Sequence, residues 1–342
     1  MQRSRLNAIT DVPGLKIGHS HDATLCSGVT VLLMDRAAVA AVDIRGGGTG
    51  TCETGALSLA GSVDEVHALV LSGGSAFGLA AASGVQAWLA QRGVGFAVGT
   101  ARVPIVPAAI LFDLLNGGDK AWGAQPPYER LGRAACEAAS LKCGVGSVGA
   151  GFGATTATLR GGLGTASESL EGGVIVGALA AVNPVGNVTI GSTGHFWAAP
   201  FEQEAEFGGL GLPQPWPADA LDVRLKGTAS DTEATRQNTT IAIIATNARL
   251  IKREVHRLAV MAQTGLARAI YPVHTPLDGD LVFAVAMGDV ELGQEPHALA
   301  HLGAAAANTL ARAVARGVYA AQVPPVHWTG PPAYRSRFDV KS

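Results

Sequence analysis

The chain has 342 residues, of which 48% are hydrophobic and only 15% are charged, and 45 of them are glycine. A charged share well below the usual value of about 25% indicates a protein that buries much of its surface and favours oligomers. The formal net charge is −2 and there is no cluster of Lys or Arg, which excludes the basic footprint of a nucleic-acid-binding protein.

The sequence contains no signal for secretion, a membrane span or a metal site. The first residues, MQRSRLNAITDVPG, carry positive charge but lack the apolar run of a secretory signal. Gly and Pro interrupt every apolar stretch before it reaches the length of about 18 residues that a spanning helix needs. The four cysteines lack CxxC spacing and paired histidines, so we expect buried thiols, no metal and no cofactor. They are Cys26, Cys52, Cys136 and Cys143. The default expectation is a cytoplasmic protein.

Five short runs that are apolar on both faces predict strands covered on both sides. These runs span residues 28–35, 38–48, 172–186, 239–247 and 280–288. Apolar residues at helical spacing predict three helices. The predicted helices span residues 75–93, 250–270 and 297–321. Because strands and helices do not alternate strictly, the pattern favours a mixed sheet covered by helices.

A long segment without periodicity, residues 200–237, ends directly before the strand TTIAIIATN. A segment of this length inside a compact protein is usually functional or disordered. The junction itself, Asn238, Thr239 and Thr240, has an ordinary explanation because Asn suits turns and Thr suits strands. The alternative is that a threonine here becomes a new N-terminus and a nucleophile.

Two glycine-rich motifs are weak candidates for nucleotide binding. GVGSVG at 144–149 fits GxGxxG, and LSGGSAFG at 71–78 resembles a phosphate-binding turn before a helix. Neither is followed by a Walker lysine, and a glycine-rich chain produces such matches by chance. Close backbone packing explains these glycines better.

Three further polar positions have both an ordinary and a catalytic explanation. Asp278 and Asp280 form an Asp-Gly turn, but residues two apart point the same way if the strand extends back to them. Asn183 before proline is ordinary turn chemistry, although its amide could also donate to a developing oxyanion. His274 is expected to be a hydrogen-bonded loop histidine, since no Ser-centred elbow or Cys-His signature accompanies it.

The ordered set of motifs resembles peptidase family S58, the self-processing peptidases that include L-aminopeptidase/D-esterase, β-peptidyl aminopeptidases and 6-aminohexanoate-oligomer hydrolases. The motifs are ITDVPGLKIGH, VDIRGG, LSGGSAFGL, VPIVPAAILFDL, GAGFGAT, GGLGTAS, VNPVG, NTTIAIIATN and DGDLVFAV. They cover nearly the whole chain, and only NTTIAIIATN is specific by itself. The resemblance implies an α/β fold with mixed sheets, the four-layer αββα sandwich of N-terminal-nucleophile hydrolases, as one intertwined domain over residues 1–342.

The same resemblance implies self-cleavage between Asn238 and Thr239, giving an α chain of residues 1–238 and a β chain of 239–342. It selects Thr239 as the nucleophile, a choice over Thr240 that the pattern alone leaves open. The freed α-amine has a reference pKa of roughly 7.7 to 8.0, so a useful fraction is neutral and takes the proton of its own hydroxyl. The other roles it implies are Asn183 as oxyanion donor, and Asp278 and Asp280 as carboxylates that orient the amine and the hydroxyl.

Two positions depart from the family pattern. Some members have a lysine in the stretch where this chain has Arg160, and some have a tyrosine where this chain has Phe112 in the expected substrate pocket. The implied enzyme hydrolyses a small peptide, amide or ester. Because the Gly/Ala-rich, charge-poor surface favours association, we expect a homotetramer of heterodimers, each made of one α and one β chain. We expect no nucleic-acid or membrane partner. Two alternatives remain: an acyltransferase resembling the ornithine acetyltransferases, and an unprocessed, non-catalytic small-molecule-binding protein.

Overall fold

The computed structural model describes residues 6–227, 238–293, 296–322 and 327–339. The strands are β1 Leu15–Asp22, β2 Ser27–Ile44, β3 Gly50–Cys52, β4 Glu65–Ser72, β5 Phe96–Val98, β6 Ala101–Val103, β7 Ala108–Ile110, β8 Gly162–Ser169, β9 Ile175–Asn183, β10 Thr239–Arg249 and β11 Leu281–Glu291. The helices are α1 Ala80–Ala90, α2 Tyr128–Glu137, α3 Lys252–Ala267, α4 Pro296–Tyr319 and α5 Tyr334–Arg337.

The long strand β2 joins two halves of a mixed sheet. Its first part pairs with β1 and β4, and its second part pairs with β11. The strand order is β3-β7-β4-β2-β11-β10-β9-β8, with β1 added on β2. Because β10 is parallel to β11 and antiparallel to β9, the expected mixed pairing is present at the centre of the sheet.

Three buried apolar layers give the fold its four-layer order. Alternate residues of β10 enter different layers: Ile244 packs with α3 and α4, whereas Ile243 packs against the facing half of the sheet. Val70 of β4 packs in the third layer, with α1 and α2. The layers therefore run helix, sheet, sheet, helix, and the predicted αββα sandwich is confirmed. The two inner layers are halves of one hydrogen-bonded sheet.

Several predicted boundaries were wrong for local reasons. The strands predicted at 28–35 and 38–48 are one strand, β2, whose pairing with β4 shifts register between Leu33 and Ala38. The helix predicted from residue 75 begins at Ala80, after a 3₁₀ turn. Strand β8 was missed because it is glycine-rich. A Cβ on its Gly164 would lie 1.8 Å from the carbonyl oxygen of Ala313 in α4, so this strand needs glycine to pack against the helix.

Other expectations have mixed outcomes. Cys26 and Cys136 are buried as expected, whereas Cys52 and Cys143 are only half-buried. The segment expected to be irregular is so from Glu202 to Gly227, and its residues 228–237 lie outside the described part of the chain. Across the described ranges, no helix combines the length and the apolar character that crossing a membrane requires.

Candidate active site

The ends of three adjacent strands bring the sequence-predicted residues together. Thr239 at the start of β10 pairs with Asn183 at the end of β9. Asn238, just before β10, forms a parallel bridge with Asp278, just before β11. Thr239 is 3% exposed, and Asn183, Asp278 and Asp280 are completely buried. The site thus lies inside the sandwich, at one end of the sheet.

Two donors converge on the carbonyl oxygen of Asn238. The Thr239 hydroxyl donates to it at 2.6 Å, and the Gly279 N–H donates to the same oxygen at 2.6 Å. The N–H polarises this carbonyl while the hydroxyl lies beside it. Thr240, the next residue along the strand, directs its side chain to the opposite face. The Thr240 hydroxyl is buried and has no hydrogen-bond partner within the described ranges. This arrangement favours Thr239 over Thr240 as the reacting residue.

Glycines make this convergence sterically possible. A Cβ on Gly279 would lie 2.6 Å from the Thr239 hydroxyl oxygen and 2.8 Å from the carbonyl oxygen of Gly48. The three glycines at 46–48, which begin inside the VDIRGG motif, hold the Asp-Gly-Asp turn from the other side: the Gly48 N–H donates to Asp278 O at 2.8 Å, and the Gly46 N–H donates to Asp280 O at 3.0 Å. The sequence analysis missed these donors, because a backbone N–H leaves no side-chain signal.

The two carboxylates are anchored around Thr239. Asp280 accepts the Thr240 N–H at 2.7 Å and lies 3.0 Å from His274 Nδ1. Asp278 accepts the Val185 N–H at 3.0 Å and the Thr275 hydroxyl at 2.7 Å. Burial, and then the charge of Asp280, raise the pKa of Asp278.

These bonds bear on what each residue was expected to do. In the hydrogen bonds of the described residues, Asp280 accepts the N–H of Thr240, and Asp278 accepts from Val185 and Thr275. The expected role of the two carboxylates at the Thr239 amine and hydroxyl stays a prediction. His274 is hydrogen-bonded, as expected of a loop histidine.

Asn183 is oriented on both sides of its side-chain amide. Its Oδ1 accepts the Thr155 N–H at 2.9 Å and the Lys226 ammonium at 3.2 Å. Its Nδ2 donates to the backbone carbonyl of Phe112 at 3.2 Å. The amide therefore presents a fixed donor opposite Thr239. Phe112 enters the site through its backbone, and its residue as a whole is half-buried.

Lys226 is a further residue of the site that the sequence analysis missed. It is the first residue of a polar run in an irregular segment, where the sequence pattern gives no position for a side chain. Its ammonium also donates to the backbone carbonyl of Asn183 at 3.3 Å. Burial lowers the pKa of Lys226 to about 7, and Asp278 opposes that shift. Arg160, in contrast, donates to the carbonyls of Phe152 and Gln322 at 2.8 and 3.0 Å and stacks on Trp328. The cation beside Asn183 is thus Lys226.

Neither glycine motif forms an open phosphate cradle. A Cβ on Gly146 would lie 2.2 Å from Ala320 O, and one on Gly149 would lie 2.1 Å from the Thr30 hydroxyl oxygen. The packing interpretation of GVGSVG therefore agrees with the structure. Within the described ranges, no group of three or more His, Cys, Asp or Glu side chains is placed to hold a metal ion.

Comparisons with known proteins agree with this fold. The family model of peptidase family S58 matches residues 7–326. An uncharacterized aminopeptidase of Mycobacterium tuberculosis is 45% identical over 97% of this chain and 98% of its own. A 6-aminohexanoate-oligomer endohydrolase of Paenarthrobacter ureafaciens is 31% identical over 92% of this chain and 82% of its own.

A solved structure carries the fold comparison further. The L-aminopeptidase D-Ala-esterase/amidase of Ochrobactrum anthropi, described as a new variant of the Ntn-hydrolase fold, has a TM-score of 0.68. Its identity to this chain is 19%, over 94% of this chain and 88% of that one. At that identity the similarity concerns the fold alone, and it confirms the predicted Ntn-hydrolase-like architecture.

Proposed function

We propose that this chain, which belongs to peptidase family S58 and is therefore a hydrolase, is an aminopeptidase or amidohydrolase. Its nucleophile in this proposal is an N-terminal threonine. It activates itself by cleaving between Asn238 and Thr239. The observation that carries this proposal is the Asn238 carbonyl oxygen, which accepts both the Thr239 hydroxyl and the Gly279 N–H at 2.6 Å. This arrangement supports an attack by the hydroxyl on its own preceding peptide bond.

That geometry supports the following course of self-cleavage. The Thr239 oxygen attacks the Asn238 carbonyl carbon, and the Gly279 N–H donates to the resulting oxyanion. As the C–N bond breaks, the Thr239 nitrogen takes up the proton that the hydroxyl has given up, and an ester remains on the Thr239 oxygen. Water hydrolyses this ester and releases an Asn238 carboxylate and a free Thr239 α-amine. Residues 1–238 and 239–342 then stay in one intertwined domain, because β10 lies between β9 and β11.

Turnover uses the new N-terminus. The neutral α-amine takes the proton of its own hydroxyl, and the oxygen attacks the substrate carbonyl. The substrate's amine or alcohol leaves with that proton as its bond to the carbonyl breaks, and an acyl-enzyme remains on Thr239. Water then hydrolyses the acyl-enzyme and regenerates the free hydroxyl. The Asn183 Nδ2–H, fixed opposite Thr239, donates to the substrate oxyanion after the substrate displaces its bond to Phe112 O. Asp278 and Asp280 supply negative charge beside the amine, which holds it in place between turnovers.

The substrate class is a small peptide, amide or ester. It is supported by two relatives, one named an aminopeptidase and one a 6-aminohexanoate-oligomer endohydrolase. Phe112, whose backbone oxygen accepts the Asn183 amide, stays our candidate for an apolar wall that contacts the acyl part. Assembly as a homotetramer of heterodimers and a cytoplasmic location remain predictions from the sequence.

A denaturing gel of protein purified without added protease tests the proposal. In proportion to length, the 34.7 kDa chain should give fragments of about 24 and 11 kDa. N-terminal sequencing of the smaller fragment should read Thr-Thr-Ile-Ala, and any other start contradicts the assignment. A chain that stays intact would favour the non-catalytic binding protein. Acyl transfer to an added amine in excess of hydrolysis would favour the acyltransferase.

A further inference from the structure

Lys226 places an ammonium group where its charge is costly. The residue is half-buried, and its Nζ lies 3.2 Å from Oδ1 and 3.3 Å from the backbone oxygen of Asn183, which is completely buried. Burial lowers the pKa of Lys226 to about 7, which means that the fold disfavours its charged form. A side chain that only filled this space would do so better without a charge.

We propose that Lys226 is a positioning residue for the hydrolysis, and that its ammonium holds and polarises the Asn183 amide so that Nδ2–H becomes a stronger donor to the oxyanion. This inference rests on the proposed function. The two contacts lie at opposite ends of one amide group: the cation at Oδ1, the donor hydrogens at Nδ2. Hydrogen bonds in such a chain strengthen one another, and the effect is larger where water is excluded.

The side chain is not needed as a backbone anchor. The Lys226 N–H already donates to Val185 O at 2.9 Å, which ties this segment to the loop after β9. The charge of Asp278 acts on the ammonium, and the charge of Asp280 acts in turn on Asp278. In its protonated form, which is populated at about pH 7 and below, Lys226 supplies positive charge to a site that otherwise holds two neighbouring carboxylates.

Lys226→Met tests the inference because it keeps the length of the side chain and removes the charge. We expect kcat to fall by about tenfold or more with KM within about threefold, the pattern of a lost transition-state interaction. Self-cleavage should still be complete, because the Asn238 carbonyl is held by Gly279.

The matched control is Lys252→Met. The Lys252 ammonium also donates to backbone carbonyls, those of Ala56 and Val63, but it lies past the other end of β10. Its kcat should stay within about twofold of the parent.

Stability against pH is the second readout. The pKa of Lys226 is about 7 in the folded protein and 10.5 for an ordinary lysine. Between pH 7 and 10.5 the unfolded chain therefore binds more protons than the folded one. The Lys226 contribution to stability therefore rises with pH from about 7 to about 10.5 and is lost as pH falls through 7. Asp278, whose charge acts on Lys226, and Asp280 and His274 beyond it are the same in both proteins. Lys226→Met should therefore have a higher Tm at pH 7 and a flatter rise of Tm with pH.

The outcomes separate the two proposals. An active parent whose Lys226→Met variant keeps kcat within about twofold, with a lowered Tm, would show an anchor and overturn the inference. If Lys226→Met does not fold, Lys226→Gln keeps a donor without the charge, and a parent-like kcat there would overturn it as well. A cleaved parent with no hydrolase activity towards amides and esters would instead overturn the proposed function, and the role of Lys226 with it.

Discussion

The two ends of β10 carry the same residue types in different surroundings. At its start Asn238 precedes Thr239, and near its far end Thr246 precedes Asn247. At the far end, the Thr246 hydroxyl donates to Ile175 O at 2.8 Å. Asn247 accepts the Ile175 N–H at 2.7 Å and donates to Gly173 O at 3.0 Å. Those side chains close the connection between β8 and β9, and their hydrogen bonds are ordinary structural ones.

The difference lies in what other segments contribute. At the start of β10 a hydroxyl and an N–H meet on one peptide oxygen, next to a glycine that admits them and to two anchored carboxylates. Lys226 and Asn183 come from a third and a fourth segment. Asn and Thr by themselves do not make a junction reactive. What makes this junction reactive is that the donors and charges of several segments converge on one peptide bond.

The largest contrast is expected between Thr239→Ala and Thr246→Ala. Thr239→Ala should leave one uncleaved chain with no hydrolase activity, because the attacking oxygen and the free amine are lost together. Thr246→Ala removes two hydrogen bonds, to Ile175 O and from the Ala248 N–H, so we expect complete cleavage, parent-like kcat and a loss of about 1 to 3 kcal/mol of stability. Gels, kinetics and thermal melts of both variants check this. Cleavage in Thr239→Ala would place the nucleophile elsewhere.

An intermediate contrast is expected between Asn183→Ala and Asn247→Ala. Loss of an oxyanion donor should lower kcat by about 10²–10³, roughly 2.7 to 4 kcal/mol, with a smaller effect on KM. Self-cleavage should continue, because in the uncleaved chain the Asn183 amide donates to Phe112 O, whereas the Gly279 N–H donates to the Asn238 carbonyl oxygen. Asn247→Ala should cost about 1 to 3 kcal/mol of stability and leave kcat unchanged.

Steady-state kinetics of the fully cleaved proteins provide the measurement for this pair. A kcat of Asn183→Ala within threefold of the parent would remove Asn183 from the chemistry. Arrested cleavage in Asn183→Ala would mean that one oxyanion donor serves both reactions.

The sequence predicted the parts that depend on local pattern. Strand β10, helices α3 and α4 and the layered α/β architecture follow from apolar runs, and resemblance supplied the order of the layers. The sequence also pointed to Asn183 and Asp278, because each is polar at the edge of an apolar strand. It could not predict the Gly279 N–H or Lys226. A backbone donor leaves no side-chain signal, and the position of a lysine in an irregular segment depends on tertiary packing.

The smallest expected effect distinguishes Thr240 from its neighbour. Its hydroxyl is buried and has no partner among the described residues, whereas its N–H donates to Asp280 at 2.7 Å. Thr240→Val keeps the shape and the N–H and replaces the hydroxyl with a methyl group, so cleavage and kcat should stay as in the parent. Because an unsatisfied buried hydroxyl is costly, its removal should stabilise the fold by about 1 kcal/mol.

The stability difference is best measured in the uncleaved Thr239→Ala background, where unfolding involves a single chain. There the double variant Thr239→Ala/Thr240→Val should have the higher midpoint in a denaturant titration. A Thr240→Val protein that stays uncleaved would contradict the choice of Thr239, since the two hydroxyls point to opposite faces of β10 and only one of them can reach the Asn238 carbonyl.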